Sequence, residues 1–339
     1  MSHPIIELIN VTRDVTWLIW AVLYFFLIGI SLGGTLLSLP AFLFGKQDMK
    51  QLGRVALIVA VTTAMAAPIA LVSDLHQPGR FYNFYLHFTP SSWMSWGSFF
   101  LPVYFIGLFS YAYLIFKPGK PAQSGLIHSA ALVTTFGAAL VAVYTGSEMG
   151  VLESRVLWSS PWLISQYLIT GLSGATGLAL LLNRYLDYDE DCARQLKKGL
   201  FVSLLIGILL QLAWMASGKL DPSSSGASFL RLATDYTPVY VLFIGLLLGA
   251  IAPLILARIG YGKGVLAGAL AVMGAWMFRW NMFIGGQSIP KNNAGFYDYS
   301  LPLGNEGLES IIGTLGLWVL FLLVVTTMVR YWQARQSQI

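Results

Sequence analysis

The chain is poor in what a water-soluble enzyme needs. Only 10% of its 339 residues are charged, where a soluble globular domain carries about 25%. It has one cysteine, Cys192. That excludes an internal disulfide, and it excludes a thiolate-held iron–sulfur cluster or structural zinc built from this chain alone. Histidine is almost as scarce: His3, His76, His87 and His128 are all there are. A haem held between two spans needs two histidines on facing helices at one depth. His76 and His87 share one loop, and His128 lies near the far end of a different segment, so no such pair is available and no haem is expected. A cleavable leader is not expected either. The first fourteen residues are polar and nearly neutral, without a basic region or a small-residue cleavage site behind a short apolar run.

What the chain has in abundance is apolar surface: 56% hydrophobic residues and a mean hydropathy of +0.69. The apolar runs are long and unbroken, unlike the short alternating segments of an outer-membrane barrel. The expectation is an all-α integral membrane protein, a single polytopic domain over residues 1–339. Nine transmembrane helices are expected at about 15–44, 53–73, 92–116, 124–146, 161–182, 199–216, 238–257, 264–284 and 308–331. Small residues inside them, as in "GISLGG" and "GLSGATG", suit close helix packing.

Nine spans place the termini on opposite sides. On the N-terminal side lie Arg13, Arg80, Arg155, Lys219, Arg231 and Lys291, six of the twenty Lys and Arg. Thirteen lie on the other side, and Arg279 falls inside the eighth span. The basic excess marks the second side as cytoplasmic, with the N-terminus outside and the C-terminus inside. The net charge of +5 is therefore read as loop orientation, and nucleic acid is not an expected partner. The outer loops, 74–91, 147–160, 217–237 and 285–307, are longer and chemically richer, so the working surface is expected there.

Three stretches carry that chemistry. "SDLHQPGRF" sets Asp74, His76 and Arg80 at the membrane edge, where a charge favours a partner, around a turn forced by Pro78 and Gly79. It reads either as a local Asp74–Arg80 pair in a polar loop or as a headgroup or substrate site at the membrane surface. "VYTGSEMGVLESRVLWSSPWL" puts Tyr144 and Glu148 four residues apart, on one face if the helix continues. It reads either as a belt tyrosine with a solvated glutamate or as a hydroxyl beside a proton acceptor. "MFRWNMFIGGQSIP" holds Arg279, Gly285, Gly286 and Gln287. Arg279 either snorkels to the outer interface or faces a partnered interior.

Together with "YFFLIGISLGG" in the first span and "SWMSWGSF", these motifs resemble, in order, the NrfD/PsrC family of membrane subunits of polysulfide, tetrathionate and related respiratory reductases. The likeness covers residues of about 15–290, with 308–331 as an additional span. It is greatest to the tetrathionate reductase branch. The resemblance implies two four-helix bundles plus the extra C-terminal helix, in the bacterial inner membrane. It implies oxidation of menaquinol near the outer face without haem. Electrons would pass to a ferredoxin-like iron–sulfur subunit, and then to a molybdopterin catalytic subunit, both docked on the periplasmic face. Iron–sulfur clusters and molybdopterin would belong to those partners alone. Tyr144 matches the family's quinone-contacting tyrosine, the Asp74–Arg80 turn matches the loop lining the site, and Arg279 and Gln287 match its Arg and "GGQ" signature. Some members carry an Asn and a His just before the "YFF" segment; here "TWLIWAVL" has neither, and His76 is a candidate substitute. Asp74, His76 and Glu148 are the expected proton acceptors, since quinol oxidation releases protons and histidine changes charge near neutral pH. Tyr144, Arg80, Arg279 and Gln287 are the expected quinol contacts, and no metal ligands are expected. Two other classes stay open: a secondary transporter, whose charges would cluster at mid-membrane, and a purely structural anchor.

Overall fold

The computed structural model describes residues 17–119, 122–186, 189–259, 263–289 and 299–336. His3, Arg13 and part of the 285–307 loop lie outside them. The described residues contain no strand, as expected of a chain that must satisfy its backbone polar groups inside lipid. Eight helices are long and apolar enough to span a membrane: α1 (Ile19–Phe42), α2 (Lys50–Ser73), α3 (Trp93–Phe116), α4 (Ser124–Gly150), α5 (Trp162–Leu186), α6 (Glu190–Leu220), α7 (Val239–Arg258) and α9 (Leu308–Gln336). This is a multi-pass membrane protein.

The expected count of nine exceeds these eight by one segment, α8 (Gly264–Trp280), which has 17 residues. It runs on through a π turn, Asn281–Gly285, and a last helical turn, Gly286–Ser288. At about 1.5 Å per residue, the regular part alone is short of a 30 Å hydrocarbon core. Its end is where Arg279 and the "GGQ" motif sit. A second irregularity opens α7, whose first thirteen residues, Val239–Ile251, are wound as a π helix. Near the other side of the membrane, α6 starts on a cap: the Asp189 carboxylate accepts from the backbone N–H of Asp191 and Cys192, and Glu190 and Asp191 complement the helix dipole.

α1 packs against α2 and α5, and more lightly against α4 and α8, while α3 packs on α4. α5 to α8 pack among themselves, so the first four and the next four helices form two groups joined through α1 and α5. α1 is the central helix: 19 of its 24 residues are buried. Between apolar helices in lipid, close approach and polar contacts supply the attraction. Both are present. At the α1–α5 crossing a Cβ on Gly33 or Gly171 would fall within 2.6 Å of a backbone carbonyl oxygen of the facing helix, so those positions require glycine. Tyr104 of α3 hydrogen-bonds Ser31 (2.7 Å) and Thr35 (2.9 Å) of α1, and Tyr111 bonds Ser38 (3.2 Å). α9 lies outside the two groups against α2, with Trp318 Nε1 donating to Thr62 Oγ1 at 3.3 Å.

Candidate functional site

The 74–91 loop folds back over the start of α3. After Asp74 ends α2, Pro78–Arg80 makes one 3₁₀ turn and Asn83–Leu86 one helical turn. The loop is then pinned to the start of α3 by aromatic edges: Tyr85 on Phe99 (5.6 Å), and Phe88 on Trp96 (5.0 Å) and Phe99 (5.5 Å). Trp96 Nε1 also donates to Pro90 O at 3.0 Å.

Under this loop is a cavity of about 270 Å³. Its walls are the end of α2 (Pro68, Leu71, Val72, Leu75), the loop (Phe81, Phe84, Tyr85), the outer half of α3 (Gly97 to Phe105) and Tyr144 of α4. Pro68 and Pro102 are internal helix prolines lining it from both sides. A proline removes one N–H from the ladder and pushes away the carbonyl four residues back, which opens the packing there. Almost every side chain of the wall is apolar.

The polar exception lies at the back wall. α4 does continue past residue 146, so Tyr144 and Glu148 fall on one face, 3% and 8% exposed. Tyr144 reaches both Glu148 and Tyr24 of α1. Tyr24 and Tyr144 face each other without a well-formed hydrogen bond, so Tyr24 Oη has no partner, and neither does Glu148 Oε2. A buried polar atom left unpaired costs about 1–3 kcal/mol, so both oxygens favour a hydrogen-bonding partner. Gly97 is what lets Tyr144 reach the cavity: a Cβ there would lie 2.3 Å from the phenol Cζ.

Asp74 caps the end of α2 next to the cavity-lining Leu75, half-buried and near Glu148. Burial pushes its carboxyl up to about 6, and nearby His76 partly offsets this. His76 and Arg80 are exposed. Asp74 and Arg80 do not form an ion pair, which removes the local-pair reading of this loop; among the described residues the ion pair found is Arg194–Asp191.

The remaining two expected contacts lie elsewhere. Arg279 does not snorkel. It is 1% exposed, at the junction of α1, α5 and α8, and bonds carbonyls and a hydroxyl: Tyr167 O (2.8 Å), Ala275 O (3.2 Å), Phe25 O (3.4 Å) and Thr170 Oγ1 (2.6 Å). Gln287 clamps the start of α1. Its Nε2 donates to Trp17 O (2.6 Å) and its Oε1 accepts from Trp17 N (3.2 Å). Beside it, Trp158 Nε1 donates to Met282 O at 2.7 Å, and Gly286 leaves room for that indole. So Asp74, Tyr144 and Glu148 are brought together, whereas Arg279 and Gln287 bind backbone.

Two residues were missed from sequence. Tyr24 is a lone hydroxyl inside "AVLYFFLIG". Gln166, fully buried with both amide atoms unpartnered, precedes Tyr167 on α5. A polar group in an apolar run was the available signal.

The chain has relatives among known proteins. A family model described as polysulphide reductase, NrfD, matches residues 7–291. The chain is 31% identical to a tetrathionate reductase subunit of Salmonella typhimurium, over 96% of both chains. It is 25% identical to a selenate reductase subunit of Mesobacillus selenatarsenatis, over 93% of this chain and 85% of that one. It is 23% identical to the Hdr-like menaquinol oxidoreductase integral membrane subunit of Archaeoglobus fulgidus, over 80% and 71%.

Proposed function

Because this chain belongs to the polysulphide reductase family NrfD, we propose that it is the menaquinol-oxidising membrane anchor of a respiratory reductase. The observation that carries the reading is the cavity under the 74–91 loop, apolar on all sides but one, with unpaired Tyr24 and Glu148 oxygens behind Tyr144. An amphipathic ring with two oxygens and an isoprenoid tail fits that combination. The volume is just under the usual range of small-molecule sites, about 300–1,000 Å³, which suits a ring held inside and a tail left in lipid. The name of the Archaeoglobus relative includes menaquinol.

Oxidation of one quinol releases two electrons and two protons. Tyr144 holds a ring oxygen and relays protons: its phenol oxygen takes the leaving proton as its own hydroxyl proton passes to the Glu148 carboxylate, and the second proton follows the same route once Glu148 has discharged to Asp74. Asp74 takes each proton onward to water, with His76 beside it. Electrons leave to an iron–sulfur subunit, since the single cysteine of this chain cannot hold a cluster. That partner seats on the loop, where Arg80 is exposed and Phe81, Tyr82 and Leu86 are 48%, 49% and 68% exposed. A molybdopterin subunit beyond it reduces the terminal acceptor. In this reading α8 counts as a ninth span, the loop faces the periplasm, the C-terminus is cytoplasmic, and the membrane is the bacterial inner membrane. Arg279 and Gln287 brace the two helix groups and do not touch the ring.

A secondary transporter finds less support: Arg279, the buried cation between the groups, is already bonded to three carbonyls and a hydroxyl of the protein itself. The purified complex is expected to retain menaquinone and to oxidise a menaquinol analogue. A complex that assembles yet does neither is a structural anchor, and the proposal fails.

A further inference from the structure

The second large opening is at the other end of the molecule, between the first turns of α6 and the last turn of α7. It is a cleft of about 560 Å³ lined by Arg194, Lys197, Lys198, Phe201, Val202 and Arg258. Four cations thus line one cleft. Among the described residues Asp191 lies 3.2 Å from Arg194, in a pair whose side chains are 62% and 77% exposed. Such an exposed pair is worth little and offsets little of the charge of the four cations that line the cleft. Its geometry is also held. The Arg258 guanidinium stacks 4.6 Å above the Phe201 ring, and the Lys197 stem runs against Gly264 at the start of α8.

The cleft is graded along the membrane normal. Arg194 and Lys198 lie in the first turns of α6, and Phe201 and Val202 one turn deeper. Below them the same side of α6 exposes Leu205, Ile206 and Leu209, and α7 exposes Ile255. In water such a row of exposed apolar side chains would mark an interface; in a membrane it faces acyl chains. Cations at headgroup depth, directly above apolar grooves, match a molecule with an anionic head and hydrocarbon tails. Basic pockets between spans at this depth hold phosphate headgroups.

We propose that this cleft is a binding site for an anionic phospholipid whose headgroup carries more than one phosphate. The phosphates occupy the space between Lys197, Lys198 and Arg258, and the acyl chains lie along α6 and α7. The site is independent of the quinol cavity.

The test is native mass spectrometry of the full-length chain in a zwitterionic detergent, titrated with cardiolipin, phosphatidylglycerol or phosphatidylcholine. Cardiolipin is expected to bind at least about tenfold more tightly than phosphatidylcholine, with phosphatidylglycerol between. Each cation near an anionic lipid contributes about fivefold. The double variant Lys198→Gln/Arg258→Gln is therefore expected to bind cardiolipin about 25-fold more weakly. The control removes two charges at the same end of the molecule, outside the cleft: Lys46→Gln/Lys50→Gln. These flank the turn whose Asp48 carbonyl accepts from Gln195 of α6. That variant is expected to bind as the parent does. Equal losses in both doubles reveal a diffuse field and overturn the proposal. Release of cardiolipin by excess sodium pyrophosphate reveals a soluble-anion site and overturns it too. Should the double variant not fold, the exposed Lys198→Gln alone is read the same way, at about fivefold.

Discussion

A single methyl group, placed on Gly97, separates a working Tyr144 from a bystander. A Cβ at that position would lie 2.3 Å from the Tyr144 Cζ and 2.4 Å from Cε2, where ordinary contact begins at 3.4 Å. The phenol must therefore retreat by about 1 Å, the difference between 3.4 and 2.3. It is 3% exposed, with Tyr24 and Glu148 behind it, so the retreat carries the hydroxyl away from the cavity. Misplacing a reacting group by about 1 Å costs on the order of 10²-fold in rate. Gly97→Ala is therefore expected to lower kcat for menaquinol-analogue oxidation by about 10²-fold, with the complex still assembled. Tyr144→Phe removes the same hydroxyl outright and is expected to cost a similar factor, since one positioned acid–base group contributes about 10²–10⁴-fold. The two changes act through one oxygen, so the double variant should lose no more than the worse single one. Gly107→Ala is the control. On the same helix its Cβ would meet Thr134 at 3.1 Å, away from the cavity, which costs packing but spares kcat. Unchanged turnover in Gly97→Ala, or losses that multiply in the double variant, would refute the role given to Tyr144.

Two further outcomes follow from the geometry. Asp74, raised to about 6, accepts protons only when ionised, so the oxidation rate should fall as pH drops through about 6; Asp74→Asn should lower the rate at neutral pH and flatten that limb, and an unaltered pH profile would remove Asp74 from the path. Gln287→Leu breaks the two-way clamp on Trp17. It should cost roughly 1–3 kcal/mol, read as a lower melting midpoint and faster proteolysis ahead of α1, with kcat unchanged; a selective loss of kcat would instead make Gln287 a quinol contact.

The fold was legible because lipid reduces structure to a question of apolar length. Every expected segment finds a helix among the described residues, and apart from the start of α6 the ends agree within about five residues. The main exception is α6, which runs from Glu190 to Leu220 where 199–216 was expected. It was underestimated because its first two turns are charged, and charge reads as loop although the Asp189 cap starts the helix there. The π turn that ends α8 was not foreseen either, since no propensity signals it. Site chemistry was legible where spacing fixed it, as for Tyr144 and Glu148. It was not legible where a distant helix decides the partner. No local pattern says that Arg279 meets the Tyr167 carbonyl, that Gln287 meets Trp17, or that Tyr24 comes to face Tyr144.

The central claim is that quinol binds under the 74–91 loop, against Tyr144. Photolabelling of the intact complex with an azido-menaquinone analogue, followed by peptide mapping, tests it most directly. Label is expected on the segments bearing Leu71 to Tyr85, Gly97 to Phe105 and Tyr144, and excess menaquinone should abolish it. Displaceable label confined to the α1–α5–α8 junction around Arg279, or no displaceable label at all, would contradict it.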